Sequence, residues 1–275
     1  MLKVRGLTKT FLSKLFSVSR KSLYLKSGKQ SVKDENLKNL ILDTLIQHPA
    51  YGQKRLSLEL KINKKRIKRV IKIYGIKTYR RKKKFIKLDD LGNPASIYPN
   101  LIKNSCAFKP NTIFVGDFTY LKVNGRFLYL ATFLDQFTRE IVGFTISSKH
   151  NKILCIEALL DAIKNVGKPM IIHTDQGSEY NSREFIKFAE KFLNIKISMS
   201  TKGSPWQNGY QESYYSHFKV DLSFTLNHEQ PQTEGELIEA VYKTISYYNN
   251  QRMHSVLETT PSKFKQNYLQ KLLTL

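Results

Sequence analysis

TIFVGDFTYLKVNGRFLYLATFLDQFTREIVGFTISS, residues 112–148, decides the fold class. It holds three runs rich in β-branched and aromatic residues, at Ile113–Tyr120, Arg126–Phe133 and Glu140–Ser147. Asn124-Gly125 between the first two is a strong hairpin signal, because both central positions of the tight turn need positive φ. Downstream the apolar period lengthens. Ile153, Ile156, Leu160 and Ile163 fall on one side of a helix over residues 153–165. Gly167-Lys168-Pro169 breaks that helix before a short buried strand at Met170–His173. A helix over Ser182–Leu193 and a strand over Ile195–Met199 come next, then a loop with Gly203, Pro205 and Gly209. Helices around Glu212 and over Glu234–Asn249 complete the pattern. Three consecutive strands followed by alternating helix and strand predict an α/β fold, a mixed sheet with flanking helices.

Three acids occupy telling places on that framework. Asp117 follows the strand-like run Thr112–Gly116, Asp175 lies just past Met170-Ile171-Ile172 in HTDQGSEY, and Glu212 sits where NGYQESYYSHFK opens a helix. Two strand ends and a helix start can bring three carboxylates together, a costly arrangement unless divalent metal neutralises it. Phosphodiester cleavage needs such a site, since two metal ions about 3.5–4 Å apart activate the attacking oxygen and stabilise the leaving one. Asp117 and Asp175 would form the rigid part of the cage and Glu212 would complete it. Lys219 lies seven residues after Glu212, within about 20° of the same helix face and about 10 Å along the axis. A cation there can hold a DNA phosphate; a solvated lysine is the plainer reading. Taken singly, each acid reads as a loop or cap residue. Asp135, in DQFTR, reads as a turn cap between strands and stays outside the catalytic set. The three together point to a metal-dependent nucleic-acid enzyme, without separating nuclease from strand transferase.

Charge is unevenly placed. Residues 1–85 hold 25 Lys+Arg against 4 Asp+Glu, whereas residues 108–275 hold 19 against 16. A basic front attached to a nearly neutral body suits a polyanion-binding arm on a catalytic core. Within the front, Ser17-Val18-Ser19 separates two short helices, a weakly specified helix-turn-helix, and Asp34–Ile46 has helical spacing. Gln53–Leu60 predicts a helix, Lys61-Ile62-Asn63 a break, and Lys64–Tyr74 a second helix capped by Asn63. In the second helix Ile67, Val70, Ile71 and Tyr74 form the buried stripe. Lys64, Lys65, Arg66, Lys68, Arg69 and Lys72 form the rest, and Gly75 can end it. Solvated faces usually mix signs, and this one carries no acid of its own, which suits docking into a DNA groove. Arg80–Lys84 prolongs the basic path into a linker containing Gly92, Pro94 and Pro99.

Cys106 and Cys155 have no CxxC spacing, which fits a reducing compartment. No apolar stretch reaches membrane-spanning length, and the N-terminus lacks the pattern of a secretory signal. A cytoplasmic, nucleoid-associated protein without membrane contact is expected.

Several long motifs occur in order: YGQKRLSLEL at 51–60, YPNLIKNSCAFKPNTIFVGDFTYL at 98–121, LDQFTREIVGF at 134–144, HTDQGSEY at 173–180, SPWQNGYQESYYSHFK at 204–219 and YNNQRMHSVLETTPSKF at 248–264. With V-S-R-K-S-L-Y at 18–24, they resemble the second-reading-frame transposase of the insertion sequence 3 family, a relative of retroviral integrases. The resemblance implies an RNase H-like catalytic domain over residues 108–265, preceded by all-α helix-turn-helix modules at 1–30 and 31–88 and a linker at 89–107, with a tail at 266–275. It puts Asp117, Asp175 and Glu212 in the DDE positions, with Mg²⁺ as cofactor and Mn²⁺ as a substitute. It implies cleavage and strand transfer at terminal inverted repeats, a homo-oligomer on synapsed ends, and an upstream-frame protein that can be fused by frameshifting. Asp221 stands where the family more often has Glu, Gln207 where Asp is frequent, and Phe114 where Trp is common. Arg252 and His254 match a family motif and read as a structural helix-to-loop junction. Trp206 reads either as a hydrophobic anchor or as a platform for an unpaired base. The rival function is a non-catalytic DNA-binding regulator that occupies element ends or inhibits the full-length transposase; a third reading is a structure-selective nuclease.

Overall fold

The computed structural model describes residues 8–20, 27–80, 98–103, 106–123, 125–149, 151, 153–201 and 204–274. The strands Ile113–Val123 (β1), Arg126–Asp135 (β2), Ile141–Ser147 (β3), Ile171–Thr174 (β4) and Lys196–Met199 (β5) form one mixed sheet in the order β3-β2-β1-β4-β5. β1 and β2 pair antiparallel over their whole length, and Gly125 takes the positive φ of 77° that the hairpin turn requires. β4 then runs parallel to β1, and β5 parallel to β4.

Alternation along β2 explains why the sheet is covered on both faces. Ala131 and Phe133 face one side, against Leu154, Ala158 and Ala162 of a helix at Ile153–Val166 (α5). Leu128, Leu130 and Leu134 face the other side. There they meet Tyr214, Phe218 and Leu222 of Gly209–Glu229 (α7) and Leu237, Val241 and Ile245 of Glu234–Asn250 (α8). A period of two along a strand buried on both faces requires apolar residues at both parities, as this one has.

Between β4 and β5 the sequence pattern predicts one helix over Ser182–Leu193. The structure caps it at Ser182 but gives only one α-turn, Arg183–Ile186 (α6), before a π-helical segment at Lys187–Phe192. Hydrophobic spacing does not distinguish those two windings over so short a run.

In the front half, Lys9–Leu15 (α1), Ser27–Gln47 (α2), Gln53–Glu59 (α3) and Lys64–Ile73 (α4) are helical. The second helix expected after Ser19 falls largely outside the described residues. α2 starts before the expected Asp34. Asn63 caps α4, accepting from Lys65 N, and Gly75 follows it at φ 62°. Leu37, Ile41, Leu56, Ile67, Val70 and Ile71 make the core of this module. At the other end, Pro261–Leu273 (α9) crosses the expected start of a tail at residue 266. Its Thr260 cap and Pro261 in the first turn are a start signal in the sequence. Phe264 and Tyr268 fasten it to Phe137, with ring centroids 5.6 and 5.0 Å away.

Candidate active site

β1 and β4 place the first two acids. Their register pairs Ile113 with Ile171 and Val115 with His173. That pairing ends there, and Asp117 and Asp175 each lie two residues further on, near enough for the charge of Asp175 to act on Asp117. Asp117 Oδ1 accepts from Phe118 N at 2.7 Å, and Asp175 Oδ1 from Gly177 N at 3.0 Å. Burial raises the Asp117 carboxyl to about 7, helped by the charges of Asp175 and Glu212 and opposed by Lys219. Asp175 is also raised, by burial and then by Glu179.

α7 brings the third acid. Glu212 is exposed in the first turn, and the residues on either side of it anchor the helix. Gln211 Nε2 donates to the carbonyls of Val115 and Thr132, and its Oε1 accepts from Thr132 Oγ1 at 3.2 Å. Tyr215 Oη donates to the Asp117 carbonyl at 2.9 Å, and Asn208 Nδ2 to the Gly116 carbonyl at 3.3 Å. These hydrogen bonds fasten the start of α7 to the strand that carries Asp117. Lys219, farther along the same helix, lies 5.8 Å above the Tyr120 ring, and its charge reaches Asp117.

A divalent cation fits this donor set. Hard carboxylate oxygens, crowded enough that one holds its proton to near neutrality, are stabilised when a cation takes the proton's place. Among the described residues, however, no three acidic, histidine or cysteine side chains already form a closed cage. Asp117 and Asp175 are the fixed pair, and Glu212 stands at the rim.

An integrase core domain model matches residues 107–205, and a second integrase core domain model matches residues 193–261. The chain is 32% identical over 256 residues to the transposase for insertion sequence element IS904 of Lactococcus lactis subsp. lactis (strain IL1403), covering 90% of this chain and 99% of that protein. It is 29% identical over 215 residues to the transposase InsF for insertion sequence IS3A of Escherichia coli (strain K12), covering 74% and 73%. The chain belongs to the IS3-type transposases. Its fold is similar to a chain of the simian T-cell lymphotropic virus intasome, solved in complex with PP2A regulatory subunit B56 gamma. The TM-score is 0.54 at 20% identity, covering 81% of this chain and 73% of that one. At that identity the likeness is one of fold, the RNase H-like architecture of integrase cores. The protein is a DNA transposase, and membership of this family implies polynucleotidyl transfer.

Other candidate residues of this transposase take up separate places. Asp135 is buried and caps its turn, accepting from Asn111 N, Thr138 N and Thr138 Oγ1. The α4 cations Lys64, Lys65, Arg66, Lys68, Arg69 and Lys72 are all exposed. Arg69 nonetheless pairs with Asp34 of α2 at 2.5 Å, so the basic face is partly neutralised from a neighbouring helix. Arg252 is buried and forms an ion pair with Asp221, which ties the end of α8 to α7. Glu179, Gln211, Tyr215 and Asn208 were not singled out from the sequence. Their signal lay in the motifs themselves, since Glu179 lies within HTDQGSEY and the other three bracket Glu212. No helix among the described residues is long and apolar enough to cross a membrane.

Proposed function

We propose that this transposase cleaves DNA at insertion-sequence ends and joins the freed ends to target DNA, with Asp117, Asp175 and Glu212 as the catalytic, metal-holding acids. The observation that carries the reading is that Gln211 and Tyr215, on either side of Glu212, bond to the backbone of the strand that bears Asp117, whose neighbouring strand leads into Asp175. Mg²⁺ is the expected ion and Mn²⁺ its substitute; bound there, divalent metal would supply Lewis-acid stabilisation of charge at the attacking and leaving oxygens. Asp117 and Asp175 are held by β1 and β4 and fix where the scissile phosphate rests. Glu212 closes the site from α7. Lys219 holds a neighbouring phosphate. In each step an O–P bond forms from water or a 3′-hydroxyl and the opposite O–P bond breaks. The 3′-hydroxyl released by cleavage is the nucleophile of joining.

Residues 31–88 are proposed as the DNA-binding module, with the exposed α4 cations against the phosphate backbone and residues 1–30 as a further arm. Residues 108–265 are the proposed catalytic domain, reached through the linker at 89–107. Two ends require at least two protomers, so a homo-oligomer assembled on DNA in the cytoplasm, at the nucleoid, is proposed. An upstream-frame protein is proposed to assist end recognition. The regulator reading is less well supported, because the Lactococcus relative is matched over 99% of its length and is named a transposase.

The test is an end-labelled duplex carrying the element's inverted repeat, incubated with Mg²⁺. The wild-type protein is expected to nick and join it, and Asp175→Asn to do neither. Normal turnover by Asp175→Asn would end the catalytic assignment.

A further inference from the structure

A cavity of about 840 Å³ opens where α3, the segment before β1, the β2–β3 turn, the start of α7 and residues 254–256 meet. Arg55, Lys103 and Arg139 line it, with no aspartate or glutamate among the described residues, and Trp206 and Tyr210 give it aromatic walls. Tyr210, Ser213 and His217 line it from α7 at i, i+3 and i+7, one stripe of that helix. Glu212 lies about 100° around the helix from Ser213. Tyr210 and His217 lie farther round still, and Gln211 and Tyr215, which bond to the strand of Asp117, point away from the stripe, so the cavity and the acids lie on different sides of α7.

Arg139 is held unusually. Its backbone is left-handed, with φ 64°, a conformation that is costly for a residue with a long side chain. Its guanidinium carbon lies 4.0 Å from the centroid of the Tyr210 ring, and its Nη1 has no hydrogen-bond partner. Trp206 is 46% exposed, so it is no buried anchor. Its short 3₁₀ turn, Pro205–Asn208, is fixed through Gln207, whose Oε1 accepts from Asn100 Nδ2 at 2.8 Å and from Thr201 N at 2.9 Å.

We infer that this cavity binds one unpaired nucleotide of single-stranded DNA. The base stacks on Trp206 or on the Arg139–Tyr210 pair, and Lys103 and Arg55 meet the phosphates. The volume suits a single nucleotide. An acidic peptide would use the cations but leave the aromatic walls without a planar partner. This inference rests on the proposed cleavage and joining of DNA, which supplies the unpaired strand.

Trp206 is the only tryptophan of the chain, so its own fluorescence reports on the cavity. The full-length protein in EDTA is titrated with a blunt duplex and with the same duplex bearing a three-nucleotide single-stranded overhang. The overhang should quench Trp206 and bind at least about fivefold tighter, since stacking contributes about 1–3 kcal/mol per base. Lys103→Ala and Trp206→Ala should remove that preference and leave blunt-duplex affinity within about twofold. Equal binding of the two duplexes by the wild-type protein, or a preference that survives both substitutions, overturns the inference. Cleavage in Mg²⁺ is read separately. Turnover without overhang preference sinks only the cavity, and overhang preference without turnover sinks only the catalytic assignment.

Discussion

Asp117 concentrates the conflict between folding and function in one side chain. In the unfolded chain its carboxyl ionises near 3.8, whereas the folded protein holds the proton to about 7. Over that window the folded state binds more protons, so this residue's contribution to stability falls as pH rises. Asp117→Asn should therefore gain thermal stability over the metal-free wild type, by a margin that grows between pH 4 and pH 7 and then levels off. Comparing the two proteins removes the opposing contributions of His173 and His254, each lowered to about 4 chiefly by burial. Melting curves across pH test this; a margin that stays constant with pH would show that Asp117 is not crowded. The same substitution should cost cleavage about a thousandfold, because a metal site supplies several kcal/mol and each 1.36 kcal/mol is tenfold. Arg252 gives the opposite case, a charge that holds the fold together. Arg252→Met strands Asp221 without its partner and should destabilise the protein by about 3–5 kcal/mol in urea unfolding. Replacing both residues with apolar ones should recover most of that loss.

At the scale of elements, α7 sets the geometry of the site because its anchors are side chains. Gln211→Ala would leave the Val115 and Thr132 carbonyls without their Nε2 donor and should cost about 1–3 kcal/mol of stability. It should lower cleavage more than it lowers DNA affinity, since Glu212 would shift while the α4 cations stay where they are. Equal losses in a cleavage assay and an anisotropy titration would argue against a positioning role. The α5–β3 contact has no slack, for a Cβ on Gly143 would lie 2.3 Å from Ala162 N. Gly143→Ala should destabilise the sheet by about 1–3 kcal/mol. Elements of this kind were legible wherever local chemistry decides. Asn63 and Gly75 bound α4 as expected, and Asn124-Gly125 marked the hairpin. The π-helical segment at Lys187–Phe192 was not legible, because it shares its apolar spacing with an α-helix. Nor was the 0% exposure of Gln211, since a buried amide is settled by carbonyls distant in sequence.

The whole molecule is joined across its two halves by a polar seam. His48 stacks on Tyr51 and lies 2.7 Å from Tyr247 Oη, Tyr51 Oη accepts from Met253 N, and Arg55 Nε donates to the Met253 carbonyl. No sequence pattern announces such a seam, because its partners lie about two hundred residues apart. The charge asymmetry, by contrast, was plain from composition alone. Neutralising Lys64, Lys65 and Arg66 together should lower the slope of log affinity against log salt by about 0.9 for each lost phosphate contact. An unchanged slope would assign the basic face to solvent. The central claim concerns the acids, and metal substitution tests it most directly. Asp175→Cys replaces a hard oxygen ligand with a softer sulfur. On the inverted-repeat duplex this variant should be inactive in Mg²⁺ and regain measurable joining in Mn²⁺, while the wild-type protein works in both. Equal activity of the variant in the two ions, or wild-type turnover in EDTA, would contradict the account.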